Sequence, residues 1–458
     1  MAVSLEETLG ALTGELERRF PYAAVLLASA SGVRVGSNGR EQSAGEEDPS
    51  RGVVFTIYNG RSFDELATSD LDPDRLAREV RAWAGGLRLQ SGGPPLIVDR
   101  GALEQEFVTA MAVDPTSVPL AQKLAQVTDL QARAQALDPR IVRADVRYQD
   151  RAEERLYIGR GRQLRQRVVR TSIFTVLVVS DGSQTRLHFL IRGGAGGYEA
   201  VSVSEFDLEA AAVVAVRLLE AEKLEPGEYD TITDPSVSGV IAHECFGHGV
   251  EMDLFPKGRA RAERYIGKRV AATGVDMFDD PSLPDAAGSY FFDDEGELAA
   301  PTQILRDGVL LQPISDLTSS MLAHGVHTAN GRRQDFTRKA YARMSNTFFA
   351  RGRTNAQAMV AGMERGIYLH QAESGMEDPM GWGIQVTAHY GEEIVDGQPT
   401  GRLFAPVGIS GYVPDLLQSI VAVGSDFSLE PGTCGKGHKE RVPVSCGGPH
   451  LRMKARLG

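Results

Sequence analysis

The sequence is poor in cysteine: Cys245, Cys434 and Cys446 are the only three in 458 residues. So odd and sparse a set excludes a disulfide framework as the source of stability. Long apolar runs are also missing. The segment Met1 to Leu16 carries Glu6, Glu7 and Glu15 and no uninterrupted hydrophobic stretch, which excludes a signal peptide or a transmembrane helix there. Cytoplasmic residence is the resulting expectation. Basic charge is in deficit, with 49 Lys and Arg against 61 Asp and Glu and a net charge of -12. Broad attraction to nucleic acid or to an anionic membrane needs the opposite sign, so neither is expected as a partner.

What is present suits a folded enzyme. Hydrophobic residues make up 42% and charged residues 24% of the chain, proportions typical of soluble globular proteins. A chain of 458 residues exceeds what one core usually holds, so two domains are expected. Leu5, Leu9, Leu12 and Leu16 recur at helical spacing. Ala23 to Ala28, Val53 to Tyr58 and Pro95 to Val98 read as strands, and a helix from about Pro73 to Gly85 turns Leu76, Val80 and Trp83 inward. Leu120, Leu124, Val127 and Ala134 mark a third helix. Strands then follow at Ile141 to Tyr148, Glu154 to Ile158, Val168 to Val179 and Thr185 to Ile191. Asp181-Gly182 is a hairpin turn signal between the last two. The run Gly193 to Gly197 lacks the spacing of a nucleotide loop and reads as a flexible turn. Leu208 to Glu222 reads as a helix closed by Pro226-Gly227, with a boundary near residues 222 to 228. Beyond about residue 255 short strands and turns, including Asp307-Gly308 and Asp396-Gly397, dominate. The expected fold is α+β: an N-terminal α/β domain over residues 1–225 and a C-terminal β-rich domain over 226–458 that carries the chemistry.

Asp234-Pro235 announces a helix, because Asp accepts the free N–H groups of a first turn and Pro fits the first helical position. Val237, Val240 and Ile241 form its buried face, and His243, Glu244 and His248 lie along it. Two neutral imidazoles suit zinc, and a carboxylate beside them can take a proton from a water that the ion polarises. The two histidines are five residues apart rather than the four usual for zinc peptidases. Five residues rotate the second side chain by roughly 140° in a regular helix. The helix must therefore bulge or end beside Gly247 if both rings are to meet one ion. A lone histidine on a helix is more often simply packed or solvated, so the motif needs support elsewhere in the chain.

That support is a resemblance. The run His243-Glu244-Cys245-Phe246-Gly247-His248-Gly249-Val250-Glu251 resembles the signature of the TldD/PmbA family of peptidases, in its TldD-type catalytic subunit. Phe292-Asp293-Asp294-Glu295-Gly296, Asn330-Gly331-Arg332-Arg333, Arg343-Met344-Ser345-Asn346-Thr347 and Gly432-Thr433-Cys434-Gly435-Lys436 resemble further family blocks in the same order. The resemblance implies a zinc held by His243, His248 and the thiolate of Cys434, with Glu244 as general base. It implies hydrolysis of unfolded peptides or small unstable proteins, gripped through their main chain inside an enclosed cavity. It also implies a dimer, either of two identical chains or with a related subunit that lacks the metal motif. Cys434 sits in a Gly-rich, lysine-flanked stretch that favours a thiolate. Cys245, Glu251, His438 and Cys446 are its rivals as third ligand. Of these, Cys245 reads as a small buried hydrophobe and Glu251 as a partner that orients an imidazole.

Asn346 and Arg332 are candidate substrate contacts, although structural ion pairing is the commoner fate of Arg332 and Arg333. Asp293, Asp294 and Glu295 form either an acidic turn shaping the site or a solvated hairpin. His324, His327, His370 and His389 have no ligand-like companions in the sequence. The stretch Glu373 to Trp382 departs from the glycine-rich pattern usual in the family and is expected to alter the cavity wall. The reading is a zinc metallopeptidase. Its rivals are a non-catalytic partner subunit of a TldD/PmbA-type heterodimer and a metal-dependent amidase acting on small molecules.

Overall fold

The computed structural model describes residues 4–96, 101–436 and 440–458. Ile97 and Val98 of the expected strand Pro95 to Val98, and His438, lie outside these residues; Pro95 and Leu96 are not in a strand. The first half runs α1 (Leu5–Glu17), β1 (Tyr22–Ser37), β2 (Gln42–Glu46), β3 (Ser50–Tyr58), β4 (Phe63–Thr68), α2 (Pro73–Gly86), β5 (Leu103–Val108), α3 (Leu120–Ala136), β6 (Ile141–Gly159), β7 (Arg162–Ser180), β8 (Thr185–Ala195) and α4 (Glu205–Arg217). The strands form one sheet in the order β4-β3-β1-β6-β7-β5, with β2 on β1 and β8 on β7. All neighbours are antiparallel except β5 and β7.

Alternation along β1 explains why this sheet is buried on both faces. Ala23 and Val25 join Phe55 and Ile57 against Leu9, Leu12 and Leu16 of α1 and Leu76 and Val80 of α2. Tyr22, Ala24 and Leu26 point the other way, onto Phe292, Leu317 and Met321 of the second half. α3 and α4 cover the remaining sheet through Val127, Leu130, Leu208 and Ala211. Each fully buried aliphatic side chain contributes roughly 1.5–3 kcal/mol.

The second half runs β9 (Gly227–Thr233), α5 (Pro235–Phe246), β10 (Met277–Asp279), β11 (Thr302–Arg306), β12 (Val309–Leu310), β13 (Gly331–Arg332), β14 (Tyr341–Ala342), β15 (Asn346–Phe349), β16 (Arg365–Glu377), β17 (Gly383–Val395), β18 (Gln398–Phe404), β19 (Val407–Tyr412), β20 (Ala422–Val423), β21 (Ser428–Lys436), β22 (Glu440–Gly448) and β23 (Leu451–Leu457). A six-stranded sheet has the order β12-β11-β10-β15-β22-β21. In the other large sheet, β16-β9-β23-β19-β17 closes on itself because β16 also pairs with β17. The result is a small barrel, with β18 and β20 as outriggers. α5 packs between the barrel strands β16 and β17 and the sheet strands β15, β21 and β22. The architecture is thus mixed, helices on a sheet followed by a β-rich half around one buried helix.

The Asp-Gly turns form as the sequence indicates. Asp307 and Gly308 join β11 to β12 with φ of 49° and 75°, and Asp396 and Gly397 join β17 to β18 with φ of 48° and 74°, the left-handed pair that a two-residue hairpin needs. Four expectations are corrected. Ile141 to Ile158 is one strand, not two, because the polar interval holds paired charges: Lys123 lies 2.5 Å from Asp150, and Arg170 lies 2.9 Å from Glu153. Gly193 to Gly197 is no flexible turn; β8 continues to Ala195, whose N–H donates to Asp285 O at 3.2 Å. The helix read as Leu208 to Glu222 tightens at Leu218 into a 3-10 turn. Finally, β16 and β17, 13 residues each, make a long hairpin where only short strands were expected.

Candidate metal centre

The motif helix begins as its sequence requires. The Asp234 carboxylate accepts from Val237 N at 2.8 Å and from Gln371 N at 2.7 Å, so one side chain both caps α5 and ties it to β16. Enclosure between two layers leaves little of the helix exposed: all its residues but Pro235 and Val240 are buried. The helix stops at Phe246. Gly247 N–H reaches back five residues to Ala242 O at 3.1 Å, a π-type closure, and His248 to Val250 continue as a 3-10 turn. Gly247 has an ordinary φ of -82°. Space explains it instead, since a Cβ there would lie 2.0 Å from Met344 Sδ and 2.2 Å from His243 O.

This break brings the two rings together, with centroids 5.0 Å apart and planes at 87°. β21 delivers Cys434 to the same point, its Sγ 3.3 Å from His248 Nε2. One donor atom from each of His243, His248 and Cys434 lies within 4.8 Å of the others. Donors around a tetrahedral zinc sit roughly 3.5 Å apart, given bond lengths of about 2.0–2.3 Å. The set fits such an ion in kind as well as spacing, and among the described residues buried Nδ1 of His243 has no hydrogen-bond partner.

Electrostatics agree with the geometry. Burial opposes ionisation of Cys434, but the His243 and His248 rings outweigh it and hold the thiol well below its usual range. Burial likewise disfavours charge on His248, yet Glu251 and Cys434 on either side raise it well above the ordinary imidazole value. Protons on these groups would compete with an ion for the same donor atoms. Glu251 touches Nδ1 of His248 at 3.3 Å. Against its burial, Lys436, His248 and Arg343 hold its carboxyl at about 2. Lys436 therefore serves Glu251, at 3.1 Å, and Asp253, at 2.5 Å. The lysine beside Cys434 in sequence does not create the thiolate; the imidazoles do.

Glu244 faces a cleft of about 640 Å³ that the cluster also lines, together with β16 residues such as Gly375 and Glu377 and β21 residues such as Glu430 and Thr433. Burial raises the Glu244 carboxyl above its usual value, with His243 and His248 pulling the other way. Burial also pushes Glu377 up to about 9, and neither of its oxygens has a hydrogen-bond partner among the described residues. Sequence reasoning missed Glu377 and Gly375 as wall residues. Their only signal was membership of the atypical stretch Glu373 to Trp382. That stretch is the end of β16, the hairpin tip and Trp382, whose ring packs on Phe246 at 5.6 Å and Tyr265 at 4.6 Å.

Two expected substrate contacts lie elsewhere. Asn346 is fully buried; its side chain accepts from Gly288 N at 3.0 Å and donates to Asp280 O at 2.7 Å and Ser289 Oγ at 2.9 Å. Arg332 is buried over the Tyr290 ring and donates to Met344 O and, at 2.8 Å, to Pro443 O. Neither lines the cleft; both brace the framework. Arg333 pairs with Glu65 across the two halves. The acidic turn is not solvated: Asp293 accepts from Gly331 N at 2.8 Å and Asp294 meets Arg155 at 2.7 Å. His327 does have companions, lying 3.4 Å from Glu295, and His389 lies 2.6 Å from Glu373. Cys245 is buried in the core, while Cys446 lines the cleft.

Residues 226–456 match the model of the PmbA/TldA metallopeptidase C-terminal domain. A metalloprotease of Methanothermobacter thermautotrophicus is 33% identical over 344 residues, covering 74% of each chain. A zinc metalloprotease TldD homolog of Saccharolobus solfataricus is 28% identical, over 60% of this chain and 65% of its own. The crystal structure of TldE from Thermococcus kodakarensis superposes with a TM-score of 0.76 at 15% identity, covering 98% of this chain and 99% of that one. The last likeness is one of fold.

Proposed function

Because this chain belongs to the TldD/PmbA family of metallopeptidases, we propose that it is a zinc-dependent peptidase acting on unfolded peptides or small unstable proteins. The observation that carries the reading is the convergence of His243, His248 and Cys434 within 4.8 Å on a cleft that Glu244 also lines. These three residues would hold a zinc ion, which would supply Lewis acidity toward water and a carbonyl oxygen. Glu244 takes the proton of the attacking water and returns it to the leaving amine, and its raised pKa suits both tasks. Glu251 holds the His248 ring in place through Nδ1.

Low sequence preference has a structural basis in this reading. β21, which carries Cys434, is the terminal strand of its sheet and lines the cleft from Glu430 to Lys436. An extended peptide laid along such an edge is gripped by its backbone, whatever its side chains. Residues 226–458 then carry the chemistry and residues 1–225 back it. The working species is a dimer, of two copies or with a metal-free relative.

The experiment is to purify the chain without chelators, measure metal per chain by elemental analysis, and follow cleavage of an unstructured peptide. About one zinc per chain, with cleavage that chelation stops and zinc restores, is expected. Cleavage unaffected by complete metal removal would end the proposal.

A further inference from the structure

Gly375 lies in paired strand β16, opposite Val386 of β17, where backbone conformation gives no reason for glycine. Its surroundings do. A Cβ at this position would sit 2.5 Å from Glu244 Cγ, 2.7 Å from Val240 Cγ1 and 2.9 Å from Glu244 Oε1. The first of these contacts is the stem of the carboxylate itself, and Val240 closes the side one helical turn earlier. Two residues on, Glu377 Oε1 lies 2.8 Å from where a Cβ on Gly249 would be. On this side of the cleft the strand therefore packs closely against Glu244 and Val240 of α5 and against the 3-10 turn that follows the helix. Trp382, at the hairpin tip, packs on Phe246 of the same helix and keeps the strand from backing away.

We propose that Gly375 is a positioning residue: its missing side chain creates the space in which the Glu244 carboxylate is held for proton transfer. This rests on the reading of Glu244 as the base. The stretch that departs from the family pattern is then the stretch that sets the reacting geometry. A displacement of about 1 Å can cost on the order of 100-fold in rate.

The test compares G375A with wild type for metal content, kcat and KM on an unstructured peptide, with E244Q in parallel. G383A, at a hairpin glycine whose Cβ would meet nothing within 4 Å, is the control. G375A is expected to keep its metal and its KM within about threefold and to lose roughly 10- to 100-fold in kcat. Adding V240A, which opens the other side of the slot, should return part of that loss, a rescue that general damage to the strand would not show. Wild-type kcat in G375A, or a change confined to KM, overturns the proposal. If G375A cannot be isolated folded, G375A/V240A carries the test: kcat below V240A alone supports it, and kcat equal to V240A alone overturns it. Should E244Q turn over normally, the role of Glu244 itself falls; an inactive E244Q beside a fully active G375A sinks only the inference.

Discussion

The Glu251 carboxylate lies 3.3 Å from Nδ1 of His248, leaving Nε2 of the same ring to face Cys434. One imidazole thus bridges a buried acid and a buried thiol. Glu251 is also approached by Lys436 at 3.1 Å and Arg343 at 3.6 Å, so three basic groups converge on it. Replacing Glu251 with Gln leaves two buried cations short of a partner, which typically costs about 3–5 kcal/mol. It also loosens the ring that would hold the metal, worth roughly 10- to 100-fold in metal affinity. Denaturant unfolding and competition with a chelator measure the two effects separately. Weaker metal binding without a change in stability would show that the His248 ring, not the pairing of the buried cations, depends on Glu251.

Glu244→Gln should retain metal and lose peptide hydrolysis by at least about 100-fold, since general base catalysis contributes on the order of 10²–10⁴. Gln matches Glu in shape, so the slot beside Gly375 stays filled. Metal content and turnover are read on the same preparation. Loss of both together would make Glu244 a ligand and leave the base unidentified.

The break that brings the two histidines together was legible because its signals are local, whereas Cys434 arrives from a distant strand and was reached only through the resemblance. Asp234-Pro235 gives the start of α5, the five-residue spacing of the histidines demands its end, and Gly247 is where it ends. The Asp-Gly turns were legible for the same reason. Long-range facts were not. The parallel pairing of β9 with β16, one link of the barrel, joins segments more than a hundred residues apart and leaves no periodic trace. Arg332 and Asn346 looked like binding groups because polarity suggests exposure, yet each is buried with its hydrogen bonds made inside. The same confusion split β6: Asp150 to Glu153 reads as a loop until Lys123 and Arg170 are placed beside it.

Glu153 supplies a prediction about pH. Its carboxylate is buried, which alone would raise its pKa, but Arg170, Arg155 and Arg151 outweigh burial and hold it far below the ordinary 4.5. A folded-state pKa below the unfolded one means stability that is complete above the ordinary Glu value and drains away as pH falls below it. The wild-type melting temperature should therefore drop between pH 5 and pH 3 more steeply than that of E153Q, which starts lower because its arginines have lost their partner. Parallel slopes for the two proteins would assign the acid sensitivity to other groups.

Assembly is tested in solution. If the peptide channel takes its walls from two chains, activity per chain should fall on dilution as the dimer dissociates. Sedimentation velocity over the same concentrations locates the transition. A fully active monomer at every concentration refutes the dimeric model.

The thiol ligand gives the most discriminating comparison, because the three cysteines sit in three environments. Cys434 faces His248 at 3.3 Å and its pKa is held low. Cys245 lies in the apolar core on the same helix as the histidines, where burial raises its pKa well above normal. Cys446 lines the cleft on β22 with its pKa pushed up to about 12 by burial. Only the first is prepared to be a thiolate. Cys434→Ser should release zinc to a mild chelator and abolish turnover, since a neutral hydroxyl is a poor replacement for a thiolate. Cys446→Ser should keep its metal. Cys245→Ser should keep it too, while losing roughly 1–3 kcal/mol of stability from a hydroxyl placed among apolar side chains. Full zinc occupancy in Cys434→Ser would move the third ligand elsewhere. Glu251 is an unfavourable substitute, committed as it is to His248, Lys436 and Arg343. The third donor would then be sought among the other groups that line the cleft, Cys446 and Glu377 among them.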